Sequence, residues 1–257
     1  MSDLIVAKIG GSTLGAHDTT LADIAELQRR GNAPVVVHGG GAVVSDWLSR
    51  LNLPTRFERG VRVTDEQAVE VVVAVLAGLV NKRLVASLEA LGAAAVGLSG
   101  ADGRMLSCRI ADPELGYVGE IVAVDPAPVV RVLLAGGIPV LAPIGLLCEN
   151  GNPTGQLVNI NADTAAGAIA AALRARWLIF LTDVPGVQRA GKTLERLSAA
   201  EADNLVGSQV IEGGMIPKVE ACVAAARAGC TSMIADGREK HKLLAASEGR
   251  AVGTLVG

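Results

Sequence analysis

Aromatic side chains are scarce, two Phe, two Trp and one Tyr in 257 residues. So few rings offer no platform for stacking nucleobases, and the core has to be built from Ala, Val, Leu and Ile. Positive charge is not concentrated either: the formal net charge is −3 and no block of consecutive basic residues occurs. That removes the electrostatic footprint expected of a protein that binds nucleic acid or an anionic membrane. His17, His38 and His241 are too far apart for H-E-x-x-H or finger spacing, so no protein-built transition-metal site is expected. Cys108, Cys148, Cys222 and Cys230 form no C-x-x-C pair and no secretory leader precedes the first apolar run, which leads us to expect reduced thiols and a cytoplasmic location. The longest uncharged window, Val132 to Cys148, is broken by Gly136, Gly137, Pro139, Pro143 and Gly145. It falls short of the ~20 residues that a membrane helix needs and reads as buried soluble structure.

Half of the composition is hydrophobic, enough to bury a large core in one α/β domain or two lobes. The stretch that organises the chain is VVVHGGGAVVSDWL, Val35 to Leu48, an apolar run, a triple glycine and then a helical pattern with Val44, Trp47, Leu48 and Leu51 on one face. Gly39, Gly40 and Gly41 let backbone N–H groups approach an anion, and the following helix adds its positive dipole end. The bland alternative is a glycine turn from strand to helix and nothing more. Earlier, LIVAKI (Leu4 to Ile9) is a strand with Lys8 as its only charge, followed by Gly10, Gly11 and Ser12. Burying that lysine is costly, so it either points its amine out of the sheet's edge, the bland reading, or aims it at a bound anion at the strand's carboxyl end, where open parallel sheets place ligands; the adjacent Gly10 and Gly11 favour the second. Asp18 is expected to cap the helix that carries Leu21, Ile24 and Ala25 and ends at Gly31.

In FERGVRVTDEQ (Phe57 to Gln67), Thr64 and Gln67 make a capping-box pattern for a long helix reaching about Gly92. Arg62 lies in the loop ahead of it, where a fork of donors suits a substrate carboxylate, though a loop arginine is most often simply solvated. Ala93 to Leu98 reads as a third buried strand, and Arg104 to Ala111 with Gly116 to Asp125 as an antiparallel hairpin placed at an edge or over the site. A helix from Asp125–Pro126 to Gly136, a strand from Ile138 to Ile144 and a polar excursion from Glu149 to Gln156 follow. In VNINADT, one of Asn161 and Asp163 is accounted for as an ordinary N-cap, which leaves the crowding of Asn159, Asn161 and Asp163 at one helix start unexplained by capping alone.

Gly186 to Thr193 reads GVQRAGKT, a literal match to the phosphate loop G-x-x-x-x-G-K-[ST] that also follows a strand, Trp177 to Val184. A phosphate loop opens its helix at the lysine and threonine, whereas the capping box Ser198/Glu201 starts the next helix beyond Thr193. Gly186 and Gly191 therefore read as hairpin turns. EGGMIPK, Glu212 to Lys218, opens a helix with glycines at its N-terminus and a lysine within reach of whatever anion binds there. Cys230 to Ile234 is the last long strand, before a short helix and the closing GTLVG. Strand and helix alternate throughout, which predicts a mainly parallel sheet covered on both faces.

Taken together, KIGGS (Lys8 to Ser12), VHGGG (Val37 to Gly41), GVRVTD (Gly60 to Asp65), VNINAD (Val158 to Asp163), LTDVPGV (Leu181 to Val187) and GGMIPK (Gly213 to Lys218) resemble, in order and over essentially the whole chain, the N-acetylglutamate kinases of the amino acid kinase superfamily. The resemblance implies an α/β fold, a three-layer α/β/α sandwich with a mainly parallel central sheet. It implies one amino acid kinase domain over 1–257, with an N-terminal lobe (1–173) for the acylated amino acid and for dimerisation and a C-terminal lobe (174–257) for the nucleotide. The implied reaction moves the γ-phosphoryl group of ATP to the side-chain carboxylate of N-acetyl-L-glutamate, for arginine synthesis. Lys8 and Lys218 would stabilise the migrating group, and Asp163 would hold both lysines. Arg62 and Asn159, with backbone at Gly40 and Gly41, would grip the acylated amino acid. Gly10 and Gly11, then Asp183, Val184, Pro185, Gly186, Val187 and Gln188, with Val210, Ile211 and Glu212, would hold ATP. Mg2+ would be carried on the phosphates rather than in a protein cage.

Because the first strand begins almost at once, the N-terminal helix of arginine-inhibited hexameric relatives is not expected, and the resemblance implies a homodimer without arginine feedback. GLVNKRLV and GLSGADGR (Gly78 to Val85, Gly97 to Arg104) also resemble sister kinases that act on a carrier-bound aminoadipate in lysine synthesis, but those typically lack the triple glycine and the N-I-N-A-D string. A catalytically silent amino-acid sensor of the same fold has no use for charges that act only on a transition state. A nicotinamide oxidoreductase would need G-x-G-x-x-G, which Val44 breaks.

Overall fold

The computed structural model describes residues 3–10, 19–58, 60–208 and 210–257. Its first half runs β1 (Ile5–Ile9), α1 (Thr20–Arg29), β2 (Val35–His38), α2 (Gly41–Arg50), the short pair β3 (Phe57–Glu58) and β4 (Val61–Arg62), and α3 (Glu66–Val73). A π-helical segment, Ala74–Val80, joins α3 without a break to α4 (Asn81–Ala90). Then come β5 (Ala95–Ser99), β6 (Leu106–Ile110), β7 (Gly119–Val124), α5 (Ala127–Leu134), β8 (Ile138–Ala142), β9 (Ile144–Glu149), β10 (Asn152–Asn159) and α6 (Ala162–Leu173). The remainder is β11 (Trp177–Thr182), β12 (Gln188–Arg189), β13 (Lys192–Thr193), β14 (Arg196–Leu197), α7 (Ala199–Gly207), α8 (Met215–Arg227), β15 (Thr231–Asp236), α9 (Lys242–Ser247) and β16 (Gly253–Val256).

The central sheet has eight strands in the order β14-β16-β15-β11-β1-β2-β8-β5, and every pairing is parallel except β15 with β16. The period of two along each strand then decides which side chains meet which helices. Val6, Val35, Val37, Leu178, Phe180 and Ile234 face a core shared with α6, α7 and α8, whereas Ile5, Ala7, Ile9, Val36, Ile179 and Met233 face α1, α4 and α9. This is the expected three-layer sandwich with a mainly parallel sheet. Lys8 shares the face of Val6 and looks toward α6 and α8; His38 shares the face of Val36 and looks toward α4. Full burial of each aliphatic side chain in these layers contributes ~1.5–3 kcal/mol.

Several sequence expectations shift. The helix from Glu66 is capped not by Thr64 but by Asp65, whose carboxylate accepts from Ala68 N at 2.8 Å. Thr64 is already occupied: its hydroxyl donates to Arg62 O and accepts from Asn159 Nδ2. The strand expected from Ile138 to Ile144 breaks at Pro143, which has no N–H to continue a ladder, and β9 leaves for a second sheet of order β10-β9-β6-β7. The polar excursion Glu149 to Gln156 is part of the β9–β10 hairpin in that sheet, and the β6–β7 hairpin joins it. The strand read from Ala93 to Leu98 is β5, the edge of the main sheet and half exposed rather than buried, because no strand lies beyond it. The run Glu66–Ala90 is, by length and composition, apolar enough to cross a membrane. Here it is a packing helix: Ala68, Val72, Val75 and Leu76 enter a core with α2, and Leu84 and Leu88 one with α1. Asp18, the expected cap of α1, lies outside the described residues.

The phosphate-loop match is a hairpin. Gln188 and Arg189 pair with Thr193 and Lys192 around Ala190 and Gly191, both at positive φ, and the helix begins after Ser198, which forms the expected capping box with Glu201. In place of the helix that a phosphate loop opens at its lysine and threonine, Lys192 and Thr193 form exposed strand.

Candidate active site

At the carboxyl ends of β1, β2 and β11, residues far apart in the chain converge. Asn161 caps α6, its side-chain oxygen accepting from Asp163 N at 2.8 Å and Thr164 N at 3.2 Å, and this turn presents Asp163 to the sheet. Lys8 Nζ stands 2.8 Å from Asp163 Oδ1, an ion pair without the alignment of a hydrogen bond. Lys218, in the first turns of α8, donates to Asp163 Oδ2 at 3.0 Å and to the Gly214 carbonyl at 3.0 Å. All three side chains are at most 15% exposed. One carboxylate thus sits between two ammonium groups, and the trio carries a net positive charge facing the sheet's carboxyl end. Of the three N–H donors on Lys218, two are engaged by protein, which leaves one for a ligand.

Beside this trio lies a cavity of about 160 Å³ bordered by Gly40, Gly41, Arg62 and Asn159, all expected at the substrate site. Gly40 adopts φ +155, which favours glycine, and a Cβ there would lie 2.7 Å from Leu76 Cδ2, so that side chain would also have to shift. The guanidinium of Arg62 is buried. Its Nη2 donates to Gly41 O at 2.9 Å and Ser45 Oγ at 2.8 Å, its face stacks 4.7 Å from the Phe57 ring, and its Nη1 has no partner. Burial pushes this group down from its usual pKa, as expected of a cation short of a counter-charge. Asn159 Nδ2 donates to Thr64 Oγ1 at 3.2 Å.

A separate groove of about 170 Å³ brings together Val184, Gly186, Val187, Gln188, Val210, Ile211 and Glu212. Gly186, at φ +148, lets Val187 N reach Thr254 Oγ1 at 2.9 Å, which ties this turn to β16. Asp183 and Pro185 flank the groove without lining it; Asp183 accepts from Thr182 Oγ1 at 3.2 Å. Gly10 follows β1 directly, and Gly11 lies outside the described residues. The two cavities meet the lysine–aspartate trio through the chain itself: Ala162 lines the first next to Asp163, and Met215 lines the second one helical turn before Lys218.

Sequence reading missed the apolar wall of the first cavity, Val44, Phe57, Val72 and Leu76, and Met215 in the second. Val44 reads in the sequence as an ordinary helix-face residue, and only the tertiary packing shows that its face borders open space. A larger cavity, about 700 Å³, lies near Asp3, Gln28, Arg30 and Glu248 at the amino ends of β1 and β2. It contains none of the converging residues and sits at the end of the sheet opposite to where such folds bind ligands.

Positive charge gathered at the carboxyl end of a mainly parallel sheet suits the transfer of an anionic group, and a model of the amino acid kinase family matches residues 3–236; the chain belongs to that family. It is 43% identical over 258 residues to the acetylglutamate kinase of Dehalococcoides mccartyi strain 195, covering 99% of this chain and 94% of that protein. Among solved structures, smu.665 from Streptococcus mutans UA159 matches with a TM-score of 0.84 at 29% identity, over 100% of this chain and 99% of the other. The N-acetylglutamate synthase of Neisseria gonorrhoeae, solved with coenzyme A and N-acetyl-glutamate, matches with a TM-score of 0.83 at 28% identity, over 99% of this chain and 59% of the other.

Proposed function

We infer that this enzyme transfers the γ-phosphoryl group of ATP to the side-chain carboxylate of N-acetyl-L-glutamate, giving N-acetyl-L-glutamyl 5-phosphate for arginine synthesis. The observation that carries the reading is the single Asp163 carboxylate holding Lys8 and Lys218, with chain neighbours Ala162 and Met215 lining the two cavities. Phosphoryl transfer needs alignment and charge stabilisation more than covalent help. An acceptor carboxylate is ionised at neutral pH and needs no general base. Lys8 and Lys218 supply positive charge to the oxygens of the migrating group, and Asp163 keeps the two ammonium groups from repelling each other before it arrives.

In this reading the unpartnered Nη1 of Arg62 takes a carboxylate of the acylated amino acid, with Asn159 and the Gly40 and Gly41 amides completing the grip. Residues 1–173 hold the acceptor, and 174–257 hold the nucleotide with its Mg2+ on the phosphates. The four free thiols suit a cytoplasmic setting. The working form is a homodimer paired through the N-terminal half, where Val73, Ala74 and Leu157 line an open apolar groove of about 400 Å³. Sedimentation at the mass of one chain would refute that pairing.

The test is an acceptor screen with hydroxylamine trapping of the acyl phosphate. N-acetyl-L-glutamate should give the hydroxamate, and Lys8→Ala or Lys218→Ala should lower kcat by about 10²–10³ while ligand affinities change far less. Preference for L-glutamate, carbamate or a carrier-bound aminoadipate would overturn the substrate assignment, and ligand binding without ADP release would reassign the protein as a sensor.

A further inference from the structure

The glycine turn is held from behind by a buried polar network that the transfer chemistry does not use. Asn81, the first residue after the π-helical segment, is fully buried. Its Nδ2 donates to Val140 O at 2.9 Å and Leu98 O at 3.3 Å, on neighbouring strands β8 and β5, and lies 3.2 Å from His38 Nε2. Its Oδ1 accepts from Lys82 Nζ at 3.0 Å, and Lys82 also donates to Gly97 O at 3.2 Å. A Cβ at Gly97 would stand 2.0 Å from Asn81 Oδ1, so the strand is cut away to admit this side chain.

These contacts fix orientation as well as place. Two backbone carbonyls can only accept, so the amide nitrogen of Asn81 must face them and therefore also faces His38. The Gly39 carbonyl, 2.8 Å from Nδ1, can only accept, so the ring proton belongs on Nδ1, and the bare Nε2 shares with Leu98 O the Asn81 N–H that Val140 O does not take. Gly39 N in turn donates to Ile9 O at 3.0 Å, next to Lys8. Gly39 is thus held through both its N–H and its carbonyl, and the peptide plane that carries this carbonyl also carries the Gly40 N–H and sets its direction. The π-helical segment matters to this arrangement, because one residue more or fewer in the helix would turn Asn81 about 100° away from the sheet.

We propose that His38 and Asn81 are positioning residues for the acceptor site: acting through the Gly39 carbonyl, they lock the glycine turn that presents the Gly40 and Gly41 amides, and the π-helical segment delivers Asn81 to that lock. The proposal deepens the assigned reaction and rests on it for its kinetic test. His38→Leu and Asn81→Leu each raise KM for N-acetyl-L-glutamate about tenfold, the loss expected from one buried hydrogen bond, with KM for ATP within about twofold. The double variant costs no more than either single one, because both break the same chain of contacts. His38→Asn, whose amide nitrogen reaches the place of Nδ1, recovers most of the loss, and His38→Gln, whose amide reaches only toward Nε2, does not.

A readout independent of substrate comes from the wild-type protein, where a 15N-correlated imidazole spectrum should show His38 with its proton on Nδ1. Amide exchange across Gly39 to Gly41 should quicken in His38→Leu and be restored in His38→Asn. A proton on Nε2, equal shifts in both KM values, or no difference between His38→Asn and His38→Gln overturns the lock. If wild-type enzyme forms no acyl phosphate from N-acetyl-L-glutamate, the functional assignment fails instead, and the imidazole spectrum and amide exchange still decide the lock.

Discussion

Replacing Asp163 by asparagine keeps the shape of the side chain and removes the charge on which the candidate site turns. The carboxylate offers one oxygen to each lysine, at 2.8 and 3.0 Å. An amide has a single acceptor oxygen, so it can hold only one ammonium and points its own N–H donors at the other. Removing one member of a buried ion pair leaves an uncompensated charge and typically costs ~3–5 kcal/mol. For a chain of this size each kcal/mol moves Tm by ~2–4 °C, so the variant should melt about 6–20 °C below wild type. Turnover should fall by about 10²–10³, since the positive charges are no longer set for the migrating group. The diagnostic result is the response to ligand. Bound nucleotide supplies the negative charge that the variant lacks, so saturating MgATP should raise the Tm of Asp163→Asn by more than it raises that of wild type. Thermal melts with and without MgATP, beside an assay of ADP release, test the prediction. A variant with Tm within 2 °C of wild type and nearly normal turnover would refute the electrostatic account; a smaller ligand response than wild type would do the same.

Arg62→Lys keeps the charge but loses the fork that bridges Gly41 O, Ser45 Oγ and the unpartnered direction; KM for N-acetyl-L-glutamate should rise about tenfold to a hundredfold with little change for ATP in initial-rate assays. The stability of the fold should also depend on pH through His38, whose imidazole is held down at about 4 by burial, reinforced by the charges of Lys8 on β1 and Lys82 on α4, while its bond to the Gly39 carbonyl opposes the shift. Unfolded histidine titrates near ~6.5, so between these values the unfolded chain binds more protons and stability declines as pH falls, by about 2 kcal/mol at pH 5 relative to neutral pH. Urea midpoints of wild type and His38→Asn at pH 7 and pH 5 check this, and identical pH dependence in the two proteins would contradict it.

Much of the layered fold is legible in the chain because strands, helices and caps follow from contacts a few residues apart. A cap at the start of α6, Asn161 or Asp163, and the Ser198/Glu201 box were readable for that reason, and the same box identified the phosphate-loop match as a hairpin; packing gave the α6 cap to Asn161. Where two near neighbours compete, local rules blur: Thr64 and Asp65 are both good caps, and only the distant Asn159, by engaging the Thr64 hydroxyl, gives the role to Asp65. Pro143 was visible in the sequence, but its breaking one apparent strand into two sheets depends on the hairpin that receives the second half.

The residue types of the site, glycine turns followed by helices and lysines beside them, are fixed in the sequence, since backbone freedom and charge belong to each residue wherever it sits. That Lys8 and Lys218 share Asp163 is decided by the strand order, which puts β1 between β2 and β11 and brings the start of α6 over it. The π-helical turn and the burial of Asn81 against His38 are likewise tertiary outcomes. No local propensity places an asparagine against strands that lie beyond its own helix; the requirement to satisfy buried carbonyls in the packed sheet does.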